Sequence, residues 1–361
     1  MPDYNLQNAT QTDMANTDGL AFSPDSETLD DSNEVYYVNS DFDDQLTYYK
    51  SIPELYQAIN AVARWTCGRG WTASARDKAI LERISGWGED TIDSIFMSMI
   101  IAKKFSGDAY SEIIRGDDLE IINIKPLNPK KMRIVTNKQG VIIRYEEINV
   151  KTKKAQRSYK PNEIFHISEN RICNENHGTS VLKACKFVID ARNEAMESWR
   201  RVLHRSSVRI AYIDADDSAT LNRIKTDYPQ AIKHGELMIV PGKKGECEIV
   251  DYPVPPAQPY MDTIRYYENF FYQAVGCPKS ILGGTQDFTE ASSKMSVFTF
   301  DQVWMTEQRL LEQDILKQLG LRVKFERPTS LKDDVVANEA ANTGQMGVQP
   351  SETQAGVTRN E

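Results

Sequence analysis

The stretch AVGCPKSILGGTQDFTEASSKMSVFTF, residues 274–300, closes one long helix and opens another. Between the two lie adjacent glycines, Gly283 and Gly284, small polar residues and no evident catalytic group. Whether a loop of this composition between two amphipathic helices belongs to an enzyme or to a mechanical part is left open by these residues alone, and the surrounding chain can be read outward from it.

Upstream, residues 259–275 place Tyr260, Ile264, Tyr267, Phe271 and Ala274 at alternating steps of four and three, which predicts a helix with one buried face. Tyr266 and Phe270 lie off that face, so this helix is expected to have neighbours on several sides. Downstream, a helix is expected over about 290–319, carrying Met295, Phe298, Val303, Trp304, Leu310, Leu311, Ile315, Leu316 and Leu319, followed by the strand RVKFER. Further upstream, residues 179–205 read as another long helix. Val181, Cys185, Val188, Ala195, Trp199 and Val202 recur at helical spacing, and Arg192 stands in the series although it is grouped here with the exposed polar positions. A basic cluster, Arg200, Arg201, His204 and Arg205, ends it, as the helix dipole favours.

Two helices therefore bracket a small α/β insert at about 206–256. Within it VRIAYID, GELMIVPG and ECEIVDYPV read as strands, and Gly242 and Gly245 flank Lys243 and Lys244 in an expected hairpin. The N-terminal half reads as two helices, 52–67 and about 89–105, then alternating segments from 107 to 160 separated by GDD, NPK, NKQG and KTKK, a run of antiparallel strands. Lys103 and Lys104 are expected at the C-terminal end of the second helix, where the helix dipole favours positive charge. The whole is α+β rather than a nucleotide-binding βαβ array.

The formal net charge is −9, but residues 1–50 hold eleven acidic groups and one lysine, leaving the rest near neutrality. Residues 1–44 are expected to be an acidic disordered arm and 329–361 a polar flexible tail, because neither has enough clustered apolar surface to offset ordering entropy. The five cysteines, Cys67, Cys173, Cys185, Cys247 and Cys277, form no C-x-x-C and read as buried free thiols. No signal peptide opens the sequence, and the longest apolar run, 95–102, is too short to span a bilayer. His166 and His177 lack a partner at metal-binding spacing, no P-loop, G-x-G-x-x-G or G-x-S-x-G motif occurs, and Asp117/Asp118 and Asp216/Asp217 fall in expected turns or caps. No catalytic residue, metal ligand or cofactor site is assigned.

Several segments, taken in order, resemble the portal proteins of tailed bacteriophages: IPELYQAINAVA (52–63), GDAYSEIIR (107–115), IKPLNPKKMRIV (124–135), YKPNEIFHI (159–167), HGTSVLKAC (177–185) and VGCPKSILGG (275–284), with Cys277 where valine is commoner. Two features depart from the pattern: little room for a C-terminal helical crown, and the long acidic arm. The resemblance implies a non-enzymatic subunit of a homo-oligomeric ring, commonly of twelve copies, at one capsid vertex of a virion assembled in the host cytoplasm. It implies double-stranded DNA bound without base readout, and the terminase large subunit, head–tail connector, major capsid and scaffold proteins as partners, with no membrane. It divides the chain into a wing (45–178), a first stem helix (179–205), a clip (206–256), a second stem helix (257–278), a tunnel loop (279–293) and a return helix and strand (294–328). Lys279, Gly283, Gly284, Thr285, Gln286, Thr289, Ser292, Ser293 and Lys294 would then face DNA, and Lys243 and Lys244 the terminase. The rival readings are a metal-dependent nuclease or other soluble enzyme, and a head–tail adaptor without a portal role.

Overall fold

The computed structural model describes residues 25–28, 34–137, 139–173, 175–206, 209–214, 222, 226, 238–242, 249–251, 256–282 and 290–327. In chain order, strands β1 (Asp25–Thr28) and β2 (Glu34–Val38) precede helices α1 (Phe42–Ser51) and α2 (Pro53–Cys67). Strand β3 (Trp71–Ala73) and helices α3 (Ala75–Leu81) and α4 (Ile92–Ser106) follow. Six strands come next: β4 (Asp108–Arg115), β5 (Ile121–Leu127), β6 (Met132–Asn137), β7 (Ile142–Ile148), β8 (Ala155–Tyr159) and β9 (Ile164–Ser168). Helix α5 (Val181–Ser206) leads to β10 (Arg209–Asp214), β11 (Met238–Gly242) and β12 (Ile249–Asp251), and the chain ends in α6 (Gln258–Val275), α7 (Glu290–Asp314) and β13 (Val323–Phe325).

Local chemistry explains the helix boundaries. Pro53 occupies the first turn of α2, where its missing N–H costs nothing. Thr91 caps α4: its hydroxyl accepts from Ser94 N, and Ser94 Oγ accepts in turn from Thr91 N. Beyond Asp314 the last turn of α7 widens into a π-helical turn, Ile315–Leu319, stopped by Gly320 at φ 73°.

The expected run of antiparallel strands is split. A five-stranded sheet has the order β1-β2-β6-β7-β8, and a separate three-stranded sheet has the order β5-β4-β9. Residues 34–44, expected to belong to the disordered arm, are ordered instead. Glu34–Val38 pair with β6, and Tyr36 is buried. The β-branched and aromatic run VYYV carries this signal in a segment whose acidity otherwise dominates. Residues 25–28 of the expected arm also form a strand, β1, paired with β2, while residues 1–24, 29–33 and the tail from 328 onward lie outside the described residues. Between the sheets, Tyr110, Met132, Ile134, Tyr145, Tyr159 and Ile164 form one core. A second joins α4 to β4, β5, β9 and the end of α7 through Phe96, Met99, Ile113, Phe165, Leu311 and Ile315. The third lies where α2, α5, α6 and α7 meet, around Leu55, Ile59, Ile189, Phe271, Phe300 and Trp304.

Lys103 and Lys104 are not solvated. Their ammonium groups are buried between Glu169, just past β9, and Glu307 of α7. Lys103 Nζ lies 3.4 Å from Glu169 Oε2 and also contacts Glu307 Oε1. Lys104 Nζ lies 2.7 Å from Glu169 Oε1 and 3.0 Å from Glu307 Oε2. Burial alone would raise the Glu307 carboxyl, but the two ammonium groups outweigh it and hold it below its ordinary value. Burial would likewise lower Lys104, and the two carboxylates raise it above its ordinary value. The quartet is electrically balanced, so each charge depends on the others.

Two glycines let the chain cross itself beside this quartet. Gly107 adopts φ 89°, and a Cβ there would lie 2.3 Å from Gly178 O. A Cβ on Gly178 would lie 2.1 Å from Gly107 O and 2.6 Å from the Glu169 backbone. At the crossing Glu169 N donates to Gly107 O and Thr179 N to Glu169 O, each at 2.7 Å.

Substituting Gly178→Ala is expected to cost about 3 kcal/mol or more, read as a lowered urea midpoint, because no backbone there can retreat. Glu307→Ala is expected to cost about 3–5 kcal/mol by leaving buried ammonium charge uncompensated. The stabilisation from the lowered Glu307 carboxyl is present above pH 4.5 and fades as pH falls through its folded value. Glu307→Gln should therefore flatten the acid limb of the stability–pH curve relative to wild type.

Candidate functional site

Helices α5 and α6 run antiparallel. Trp199 meets Tyr260 with ring centroids 4.9 Å apart, while Arg192 meets Glu268 and Phe271, so contacts climb one helix as they descend the other. At 26 and 18 residues the two helices extend about 39 and 27 Å. Only the end nearest the body is buried: Leu182, Cys185, Ile189 and Arg192 on α5 are covered. No described residue of α5 from 193 to 203 is buried, while Phe187 is 79 % and Leu203 47 % exposed. Ala274, expected on the inner face of α6, is exposed, and Tyr266 is 60 % exposed.

The pair brackets a three-stranded sheet of order β11-β10-β12. Strand β10 pairs in parallel with β11 and antiparallel with β12. The expected hairpin between β11 and β12 is thus not formed, because β10 lies between them. Residues 215–237 provide the crossover that a parallel pair requires. Lys243 and Lys244 lie outside the described residues, as do Asp216 and Asp217.

After α6 the chain turns tightly. Gly276 takes φ 75°, Gly276 N donates to Gln273 O and Cys277 N to Tyr272 O. Cys277 is buried beside Phe300 and Trp304. Ile281 N then donates to Pro278 O and Leu282 N to Lys279 O, so 279–282 is a folded turn rather than open loop. At the other end α7 already begins at Glu290, which puts Ser292 and Ser293 in helix and Lys294 on its second turn. Gly283, Gly284, Thr285, Gln286 and Thr289 lie outside the described residues.

Lys279, expected to face phosphate, is held at the root. Its ammonium lies 4.0 Å from Glu268 Oε2 and 5.9 Å from the centroid of the Tyr272 ring. Glu268 also faces Arg192 at 3.7 Å, and Arg192 donates to Glu54 Oε1 of α2 at 2.6 Å. Arg192, grouped with exposed positions from sequence, is in fact buried. Its place on the apolar stripe of α5 was the available signal. A line of alternating charges, Glu54–Arg192–Glu268–Lys279, thus links the body, both long helices and the loop root. Burial, with Glu54 and Glu268 nearby, pushes the Tyr272 phenol up to about 12.

A second polar cluster lies where the sheets meet α5. The Asp108 carboxylate is bonded by His166 Nε2 at 2.8 Å, His177 Nδ1 at 2.7 Å and the Gly178 N–H at 3.0 Å. Tyr145 Oη and His166 Nδ1 are 3.1 Å apart, and the Tyr110 ring stacks on His166 at 4.5 Å. Burial would raise Asp108, but the two imidazoles hold it down at about 2. His177 is raised: burial alone would lower it, and Asp108 prevails. Beside it Ser180 Oγ accepts from Leu182 N at 3.0 Å and opens α5. The histidines had no sequence-local partner. The pairing of Tyr110 with His166 across β4 and β9, and the Gly107–Gly178 crossing, bring them together.

Among the described residues no group of three His, Cys, Asp or Glu side chains is placed to hold a metal ion, and no helix is long and apolar enough to cross a membrane. Cys67, Cys185 and Cys277 are buried free thiols as expected, whereas Cys173 is exposed, since it sits in the open segment between β9 and α5.

Asp108→Asn is expected to cost about 2–3 kcal/mol at neutral pH and to lower the His177 pKa in an NMR titration. The Asp108 contribution in wild type is present above pH 3.8 and is lost as pH falls toward about 2. A His177 pKa unchanged by the substitution would contradict the assignment.

No family model matches the chain, and no curated protein matches it. Solved structures do. The chain is similar to a chain in the virion of a native gene transfer agent particle, at 15% identity and a TM-score of 0.61, covering 86% of this chain and 90% of that one. It is similar to a chain in the neck of the native particle computed with C12 symmetry, at 16% identity and 0.62, covering 87% and 92%. It is also similar to an HK97-family phage portal protein from Corynebacterium diphtheriae, at 14% identity and 0.53, covering 78% and 94%. With the paired helices, the small sheet at their far end and the returning α7, the chain has the phage portal fold, that of the family its sequence resembles.

Proposed function

We propose that the protein is a portal subunit, which assembles with copies of itself into the ring at a capsid vertex through which double-stranded DNA is packaged and ejected. The observation that carries this reading is the order helix, small sheet, antiparallel helix, loop, returning helix, in a chain whose long helices leave Phe187, Leu203, Tyr266, Met295 and Phe298 exposed. Apolar side chains spread along several helices call for neighbours, and a ring of identical subunits supplies them on both flanks. The likeness of this fold to a neck assembly computed with C12 symmetry supports a ring, with twelve copies as the reading.

In this account residues 34–178 with 294–327 are the wing, α5 and α6 the stem, and 207–256 the clip that docks the terminase and later the connector. The segment 283–289 is the tunnel loop. Gly283 and Gly284 free its backbone, and Thr285, Gln286 and Thr289 touch phosphate without holding it. A translocating duplex must not be gripped, since each firm lysine contact adds affinity that salt must relieve. Glu268 compensates part of the Lys279 charge, which suits that requirement. The subunit does no chemistry of its own; hydrolysis of nucleotide belongs to the motor that docks on it, and the place of action is the virion.

The test is made in assembled particles. Lys243→Glu with Lys244→Glu is expected to leave rings intact and abolish terminase docking, measured by co-sedimentation; normal docking would remove the clip assignment. Lys279→Glu with Lys294→Glu is expected to alter the length of DNA packaged or its retention, and unchanged values for both would reject the phosphate contact.

A further inference from the structure

The five-stranded sheet and the three-stranded β5-β4-β9 sheet of the body treat their edges differently. Both edges of the three-stranded sheet are covered from within the chain. On β9 the Gln318 side chain imitates a neighbouring strand: Gln318 Nε2 donates to His166 O and His166 N donates to Gln318 Oε1, both at 2.8 Å. On the other edge, Trp87 Nε1 donates to Pro126 O at 2.9 Å, and Asn123 Nδ2 donates to Gly86 O at 2.9 Å. The five-stranded sheet has no such covers among the described residues. Among the described residues strand β8 pairs with β7 alone and β1 with β2 alone. Residues 155–158 of β8 are exposed.

The two open edges carry opposite charge. Residues 149–160, the β7–β8 turn and β8, contain Lys151, Lys153, Lys154, Arg157 and Lys160 and no acidic residue. Strand β1, residues 25–28, contains Asp25 and Glu27 and no basic residue. An open strand edge is a template for another strand. Lysines along β8 repel a second β8 and attract an acidic strand, so they guard against self-pairing while selecting a partner of the other sign. The two strands are of similar length, five and four residues. An acidic edge and a basic edge on one sheet define a head-to-tail contact, which gives a ring where the rotation between copies closes, rather than a two-fold dimer.

We propose that neighbouring copies join sheet to sheet, the acidic β1 edge of one seated on the basic β8 edge of the next. The inference rests on the ring reading above and adds how the wings of adjacent subunits recognise each other. It also gives the acidity of β1 a role. The contact is made by backbone hydrogen bonds between strands and is given its direction by charge.

The test uses the full chain with Cys173→Ser, carrying Ser26→Cys and Ser158→Cys together or singly, and a bis-maleimide of about 10 Å reach, which tolerates a register slip of two residues. Solution mass and end-on images are recorded on the same samples and on wild type. Rings with a ladder of covalent multimers from the double variant and from neither single variant are expected. Rings without the ladder would overturn the sheet contact while the ring reading stands. A wild type that forms no ring would overturn both. In parallel, Lys151→Glu with Lys154→Glu is expected to raise the protein concentration needed for assembly at least about tenfold, and Asp25→Lys with Glu27→Lys on the same chain to reverse this. Assembly indifferent to both would also overturn the proposal.

Discussion

Four charges buried together set the positions of the elements that matter. Lys103 and Lys104 at the end of α4 meet Glu169 after β9 and Glu307 in α7. Removing these groups from water is costly, and the cost is met only when all four meet in good geometry. The quartet therefore fixes the end of the central helix against the strand that leads toward α5 and against the helix that returns from the loop. The Gly107–Gly178 crossing lies directly beside it, because Glu169 supplies both a side chain to the quartet and backbone bonds to the crossing. The start of α5 is thereby tied to the body on its polar side by Asp108, His177 and Ser180 and on its apolar side by Leu182 and Ile189.

From that anchored base the helices α5 and α6 leave the core. Their inner halves are held by Phe271, Ile189 and the buried Arg192, while their outer halves contact mainly each other. The line Glu54–Arg192–Glu268–Lys279 carries the linkage on to the first residues after α6. Together with the Gly276 turn and the buried Cys277, it gives the segment 283–289 a firm support at its start. The proposed tunnel loop would need freedom at its tip and rigidity at its root, and the described root, residues 276–282, meets the second requirement. The exposed apolar residues of α5, α6 and α7 have a complementary meaning under the proposed ring: they are the faces that neighbouring copies would cover.

Much of this was legible in the sequence. Helical periodicity located α2, α4, α5, α6 and α7 to within a few residues, since each carries apolar residues at helical spacing. The bracketing of a small α/β unit by α5 and α6 followed from the same pattern. What escaped was non-local. Nothing near Lys103 and Lys104 announces Glu169 or Glu307, which lie 65 and 204 residues away in the pairs they form. Asp108, His166 and His177 likewise meet only through strand pairing and a chain crossing. The division of the strands between two sheets and the insertion of β10 between β11 and β12 are pairing choices, and alternation within a strand does not specify its neighbour. Arg192 was the exception: a cation on an apolar stripe carries its own warning, and it forms the buried link between body and stem. Residues 34–38 were hidden by the acidity around them although their β-branched and aromatic run was present.

The central claim is that these subunits close into a ring around a channel. The most direct measurement is the solution mass of the purified full-length protein by light scattering, with end-on particle images of the same peak. The account predicts a mass several-fold to about twelve-fold that of the 41.0 kDa chain and closed rings with a central hole wide enough for a DNA duplex. A compact monomer at every protein concentration, or an assembly without a central hole, would contradict it.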